Sequence, residues 1–116
     1  MLGASATEPV ALMRVNVTSG ASEVVRQVRE ITIDRAYFSA AQPIEFPTDG
    51  GATAYGLFYA PPNPDYAAPE GELPPLLVMS HGGPTGATAS FLRYGIQFWT
   101  TRGIAVLDVD YGGSTG

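Results

Sequence analysis

A chain of 116 residues is enough for one small domain with a modest core, and 45% hydrophobic residues place it outside the disordered and fibrous classes. Eleven carboxylates face six basic residues, all of them arginine, and the resulting net charge of −5 argues against a nucleic-acid partner, which requires a basic face. Cysteine is absent and His81 is the one histidine, which excludes disulfides, thiolate zinc sites and a cysteine nucleophile and leaves little for a histidine-based metal site.

The first residues, Met1 to Pro9, lack the basic start and apolar run of a signal peptide. No apolar run approaches the roughly 20 residues that span a bilayer. The expectation is a soluble, cytoplasmic protein with no membrane partner. Strand signals begin at Val10–Val17, where Met13, Val15 and Val17 share a face and Leu12 is out of step. A turn cluster, Thr18 to Ser22, leads to a second strand over Glu23–Val28, which makes an antiparallel hairpin. A lone hairpin is marginal in water and needs neighbours.

Residues 34–41 read as a connector. A second hairpin follows, with strands at Pro43–Pro47 and Ala52–Ala60 around the turn Thr48-Asp49-Gly50-Gly51, since Asp-Gly between β-rich runs is a strong hairpin signal. The proline-rich stretch from Pro61 to Pro75 is a surface loop with several fixed φ angles. Then the period changes. Leu76–Met79 is uniformly apolar, as for a strand covered on both faces. Ser90–Arg102 is helical in pattern, with Arg93, Gln97, Thr100 and Thr101 on one face and Phe91, Leu92, Ile96, Phe98 and Trp99 around the rest. Gly103 suits a left-handed cap, and Ile104–Asp110 is another buried strand. Strand, helix and strand form a βαβ unit, so the fold class is α/β with a parallel pair.

Two glycine-rich turns end the two buried strands. In His81-Gly82-Gly83-Pro84-Thr85-Gly86, glycine removes the Cβ barrier to unusual backbone angles and lets a substrate come close. One reading gives the Gly83 N–H, supported by that of Gly82, the task of stabilising a tetrahedral intermediate; the other is an ordinary strand-to-helix turn, with Pro84 fixing its exit. His81 reads as a side chain locked into that turn rather than a base, because no serine or threonine stands nearby in a nucleophile-elbow context. Asp108 and Asp110 alternate and so share a side of the strand, where they serve acid–base or metal chemistry or, preferably, bind backbone N–H groups. In Tyr111-Gly112-Gly113-Ser114-Thr115-Gly116, a Gly-x-Ser-x-Gly spacing with a following helix is absent and the lysine of a phosphate loop is missing. No motif asks for a cofactor, and the segment reads as a loop flanking a cleft.

Taken in order, Pro43–Pro47, Asp49-Gly50, Ala54–Tyr59, Gly71–Val78, His81–Gly86 and Asp110–Gly116 resemble the prolyl oligopeptidase family of serine peptidases, in the branch of acylaminoacyl peptidases and dipeptidyl aminopeptidases. The resemblance covers about residues 40–116. It implies a β-propeller joined to an α/β-hydrolase domain, with residues 1–35 as the last propeller strands and 36–116 as the opening strands and first helix of an incomplete hydrolase. It implies a peptide substrate and an oxyanion-hole role for the Gly83 N–H. The remainder of the hydrolase domain is the implied partner, because the family's serine elbow, acid and histidine have no counterpart here, and the chain alone is expected to be inactive. The family's Asn-Tyr-Arg-Gly-Ser-Thr-Gly differs from this chain at Asp110 and Gly112. Alternative readings are a fragment of an esterase or lipase and a non-catalytic binding module. If the chain is such a fragment, Ile104–Asp110 is expected to present an open apolar sheet edge.

Overall fold

Each of the two predicted hairpins becomes the nucleus of its own sheet. The structure, a computed structural model, describes every residue except Arg29, Ile31, Pro84 and Gly116, so the exit role expected of Pro84 and the last glycine of the second turn lie outside the described residues. The first sheet is antiparallel and orders β1 (Leu2–Gly3), β2 (Ala11–Val15) and β3 (Ser22–Gln27) in sequence. Its hairpin register slips between Leu12 and Met13, which pair with Arg26 and Val24 and leave Val25 as the extra residue. The added residue on β3 twists the pair locally, while Leu12 points to the exposed side of β2 between the inward Ala11 and Met13. β1 is recruited by pairing alone, Leu2 with Leu12 and Gly3 with Ala11.

The second sheet has the order β4 (Gln42–Pro47), β5 (Thr53–Tyr59), β7 (Ala105–Asp110), β6 (Leu76–Ser80). β4 and β5 form the Asp-Gly hairpin, its turn carried by Gly50 and Gly51 at φ of 70° and 77°. β7 runs antiparallel to β5 and parallel to β6. The strand expected to be an open edge is therefore the inner one, and β6 takes the edge instead. Nor is β6 covered on both faces: Leu76 and Val78 are 52% and 58% exposed while Leu77 and Met79 turn inward. The proline-rich loop carries no regular structure between β5 and β6. Among the described residues there is one α-helix, so the molecule is β-rich with a single βαβ unit.

That helix, α1 (Tyr94–Thr100), is shorter than its pattern. Tertiary tethers hold the preceding residues extended: Leu92 N–H donates to the Ser5 carbonyl at 2.8 Å, and Arg93 enters the helix at φ −119°, ψ 111°. Its end is as expected. Gly103 adopts φ 82° while Gly103 and Ile104 N–H donate back to the Thr100 and Trp99 carbonyls, the paired bonds of a Schellman cap.

The helix turns inward Ile96 together with its polar stripe. Gln97 and Thr100 are buried, whereas Phe98 and Trp99 are 49% and 38% exposed. Gln97 explains why polar residues share the buried side. Its amide receives the Ser39 N–H at 2.7 Å and donates to the Ser39 carbonyl at 2.9 Å, so the connector before β4 is sewn to the helix by its backbone. Beside this pair lies a small core of Tyr59, Ile96 and Val106, flanked by Ala41, Leu57, Leu77 and Met79. No helix among the described residues is long and apolar enough to cross a membrane.

Gln97→Leu keeps the side-chain volume but strands the Ser39 N–H and carbonyl in the interior, where an unpaired polar group costs about 1–3 kcal/mol. Urea denaturation of this variant is expected to show a lower midpoint with an unchanged slope, a larger loss than Phe98→Leu produces on the exposed face.

Candidate active site

Parallel strands end at the same edge of a sheet, and here Ser80 is level with Val109. The residues that follow, His81 on one strand and Asp110 to Ser114 on the other, must meet. They do. The His81 Nε2 lies 2.7 Å from the Ser114 Oγ and 3.9 Å from an Asp110 carboxylate oxygen. The imidazole stacks on the Tyr111 ring at 4.4 Å between centroids and 23° between planes. The Tyr111 hydroxyl donates to the Gly83 carbonyl. Thr115 donates its N–H to the Gly86 carbonyl at 2.8 Å and its hydroxyl to the same oxygen at 3.3 Å. The two glycine-rich turns are thus one structure.

Gly83 sits at φ 82°, a conformation closed to most side chains, and both Gly82 and Gly83 are exposed. Among the described residues neither glycine N–H is given an acceptor. Gly86 is glycine for a different reason: a Cβ there would stand 2.6 Å from the His81 Nδ1. The chemistry this arrangement supports is electrostatic, since amides held at a strand end can receive an oxygen that is gaining negative charge.

The two aspartates on the shared side of β7 go to structural partners. Asp110 accepts from the Thr88 N–H at 2.8 Å and from its hydroxyl at 2.9 Å, which anchors the segment leading to α1. Asp108 is buried and paired with the Arg93 guanidinium. Burial raises the pKa of the neighbouring Tyr59 phenol, and Arg93 offsets part of that rise. Among the described residues no group of His, Asp and Glu has the makings of a metal site.

Serine, histidine and aspartate converge here, yet not as a nucleophilic triad. Both Ser114 and Asp110 approach the same ring nitrogen, whereas a triad needs its carboxylate on the opposite one. That opposite nitrogen, Nδ1, faces the Gly82 carbonyl at 3.4 Å. Ser114 does stand within a Gly-x-Ser-x-Gly spacing, but no non-glycine residue among those described has a positive φ, so it lacks the strained turn of a nucleophile elbow. His81 is locked into its turn, as its sequence context suggested. Sequence reasoning missed the bracing roles of Tyr111, Ser114 and Thr115; the signal was available in the parallel pairing, which obliges residues after β6 and β7 to touch.

No protein-family profile matches the chain, and no curated protein matches it in sequence. Solved structures do. A Mycobacterium tuberculosis puromycin-hydrolyzing peptidase is 38% identical over 98% of this chain with a TM-score of 0.92, and the match covers 18% of that protein. A puromycin hydrolase is 34% identical at a TM-score of 0.90, over 99% of this chain and 17% of its own. The Pyrococcus horikoshii acylaminoacyl peptidase, 22% identical at a TM-score of 0.67 over 99% of this chain and 17% of that one, shares the fold. The chain spans less than a fifth of the length of each.

Two substitutions test the architecture of the site. Gly86→Ala is expected to displace the imidazole and abolish its stacking on Tyr111, at about 1–3 kcal/mol by the usual cost of overpacking, read from thermal melts and from the ring-current shifts of the His81 protons. Arg93→Met leaves the Asp108 carboxylate buried and unpaired and is expected to cost about 3 kcal/mol or more. The double variant with Asp108→Leu should recover much of that loss; no recovery would mean that the ion pair is not the source.

Proposed function

The chain belongs to the prolyl oligopeptidase family of serine peptidases, and we propose that it supplies one wall of that catalytic site: the turn whose Gly83 N–H, supported by Gly82, receives the carbonyl oxygen of a peptide substrate as it becomes an oxyanion. One observation carries this reading. Gly83, at φ 82°, presents an amide with no acceptor among the described residues, at the end of a parallel strand, on a turn pinned from both sides. Open α/β sheets hold their ligands at such strand ends. Backbone amides fixed before the reaction cost no reorganisation during it.

Two domains divide the chain in this proposal. Residues 1–35 are the last propeller strands and residues 36–116 the opening of an α/β-hydrolase domain. The two separate sheets support that boundary, because β3 ends at Gln27 and β4 begins at Gln42. So does the exposure of Val24 and Val25 in a strand that has no buried residue. The remainder of the hydrolase domain is the partner, seated against the apolar outer surfaces of β6 and α1. Nucleophile, acid and base come from that remainder, so the 116 residues alone are inactive and the substrates are short peptides.

The protein encoded by the whole gene is expected to release p-nitroaniline from aminoacyl and acyl-peptidyl anilides, and the 116-residue chain to release none. Within that protein, Gly83→Ala is expected to lower kcat by about a hundredfold, the scale of losing one oxyanion donor. Gly82→Ala, at a φ that alanine adopts without the strain it meets at Gly83, should lower it less. Equal tolerance at both positions would remove Gly83 from the oxyanion hole, and hydrolysis by the short chain itself would overturn the division of labour.

A further inference from the structure

The contacts of His81 determine which of its nitrogens carries the proton, and through that the direction in which the Gly83 amide points. A neutral imidazole has one N–H and one lone pair. The His81 Nδ1 faces the Gly82 carbonyl at 3.4 Å, and Nε2 faces the Ser114 hydroxyl at 2.7 Å. A carbonyl only accepts, whereas a hydroxyl does either. With the proton on Nε2, the Nδ1 lone pair would oppose the Gly82 oxygen and that contact would be repulsive. With the proton on Nδ1, both contacts are hydrogen bonds: Nδ1–H donates to the Gly82 carbonyl and the Ser114 hydroxyl donates to Nε2.

The Gly82 carbonyl belongs to the same peptide unit as the Gly83 N–H. The peptide is planar and trans, as are all those described, so its carbonyl and N–H point in opposite directions. Holding the oxygen against His81 therefore turns the Gly83 N–H away from the ring, toward the open side of the turn. From the other side, the Tyr111 hydroxyl holds the Gly83 carbonyl, and its ring caps the imidazole. Gly83, free to rotate by itself, is thus held at both of its flanking peptide planes.

We propose that Ser114 and Tyr111 are positioning residues for the oxyanion donor: Ser114, by occupying Nε2 in place of the more distant Asp110 carboxylate, leaves the His81 proton on Nδ1 against the Gly82 carbonyl, and that tautomer, with Tyr111, aims the Gly83 N–H. The catalytic part of this inference rests on the oxyanion role of Gly83; the tautomer part does not. The relay assigns Ser114 a purpose other than nucleophile, and it explains why a carboxylate stands near Nε2 without taking the place of a triad acid.

Because His81 is the one histidine of the chain, its imidazole nitrogens give unambiguous 15N resonances. In mildly alkaline buffer, which keeps free imidazole neutral, Nδ1 is expected in the protonated range and Nε2 in the unprotonated range. Without the Ser114 hydroxyl, the Asp110 carboxylate 3.9 Å from Nε2 is the charged acceptor that competes with the Gly82 carbonyl, so Ser114→Ala should move the proton to Nε2 and shift the Gly83 amide cross-peak, and Ser114→Thr should restore both. An Nε2–H tautomer in the unaltered chain overturns the proposal, as does a Ser114→Ala spectrum with His81 and Gly83 unmoved. In the peptidase that carries this segment, Ser114→Ala is expected to lower kcat about tenfold with KM nearly unchanged, a smaller loss than the roughly hundredfold cost of an absent oxyanion donor. An unchanged kcat refutes the catalytic consequence. A peptidase that is inactive even unaltered, with the tautomer as expected, instead refutes the oxyanion reading and leaves the relay in place.

Discussion

The parallel pairing of β6 with β7 is the constraint from which the site follows. In an antiparallel pair, the residues after one strand lie beside those that precede the other. Only a parallel pair brings two strand ends to one edge, and it needs a crossover such as α1 to do so. With Ser80 level with Val109, His81 arrives beside Asp110, and the next residues of each turn have no choice but to meet. Each turn then supplies what the other lacks. The first contributes exposed glycine amides and an imidazole, the second an aromatic ring and two hydroxyl-bearing side chains.

The helix that makes this crossover cannot stand by itself. Seven residues are well below the length at which a helix persists in water, and the hydrocarbon core beneath it is small. Polar anchors do the holding. Gln97 binds both backbone groups of Ser39, and Asp110 fixes Thr88 ahead of the helix. The Arg93–Asp108 pair ties the helix start to β7. Such anchors have directional geometry that apolar contacts lack, so the helix is set in position more firmly than its buried area alone would achieve. The larger apolar groups, Phe98 and Trp99, are left on the outer side.

What was legible in the sequence was whatever local chemistry dictates. Asp49-Gly50 forced a hairpin turn, Gly103 a left-handed helix end, and the change of period between Tyr59 and Leu76 announced the βαβ unit. Faces and edges were not legible, because a sequence pattern shows which residues are alike and not which side has neighbours. The pattern placed Gln97 on a polar stripe without showing which way that stripe faced; that was decided by Ser39, 58 positions earlier, whose backbone it binds. The uniform run Leu76–Met79 looked doubly covered, although its strand lies at an edge. In the site, the glycines were readable as permissive positions, whereas the restraint placed on them by Tyr111 and Ser114 arises only when two turns some 30 residues apart are brought together.

That restraint matters because glycine supplies freedom, and the oxyanion role proposed for this turn requires its opposite. The φ of Gly83 is reached without penalty only by a residue that reaches many other conformations as easily, so an isolated turn of this composition would spend much of its time with the amide misdirected. A bulkier residue would be stiffer but excluded from the conformation, and it would obstruct the approach of a substrate. Bracing from a second strand resolves the conflict: the turn keeps a bare backbone on its open side while side chains fix its carbonyls on the other. The stiffness is thereby borrowed from the sheet, whose ladder already holds the ends of β6 and β7 in register.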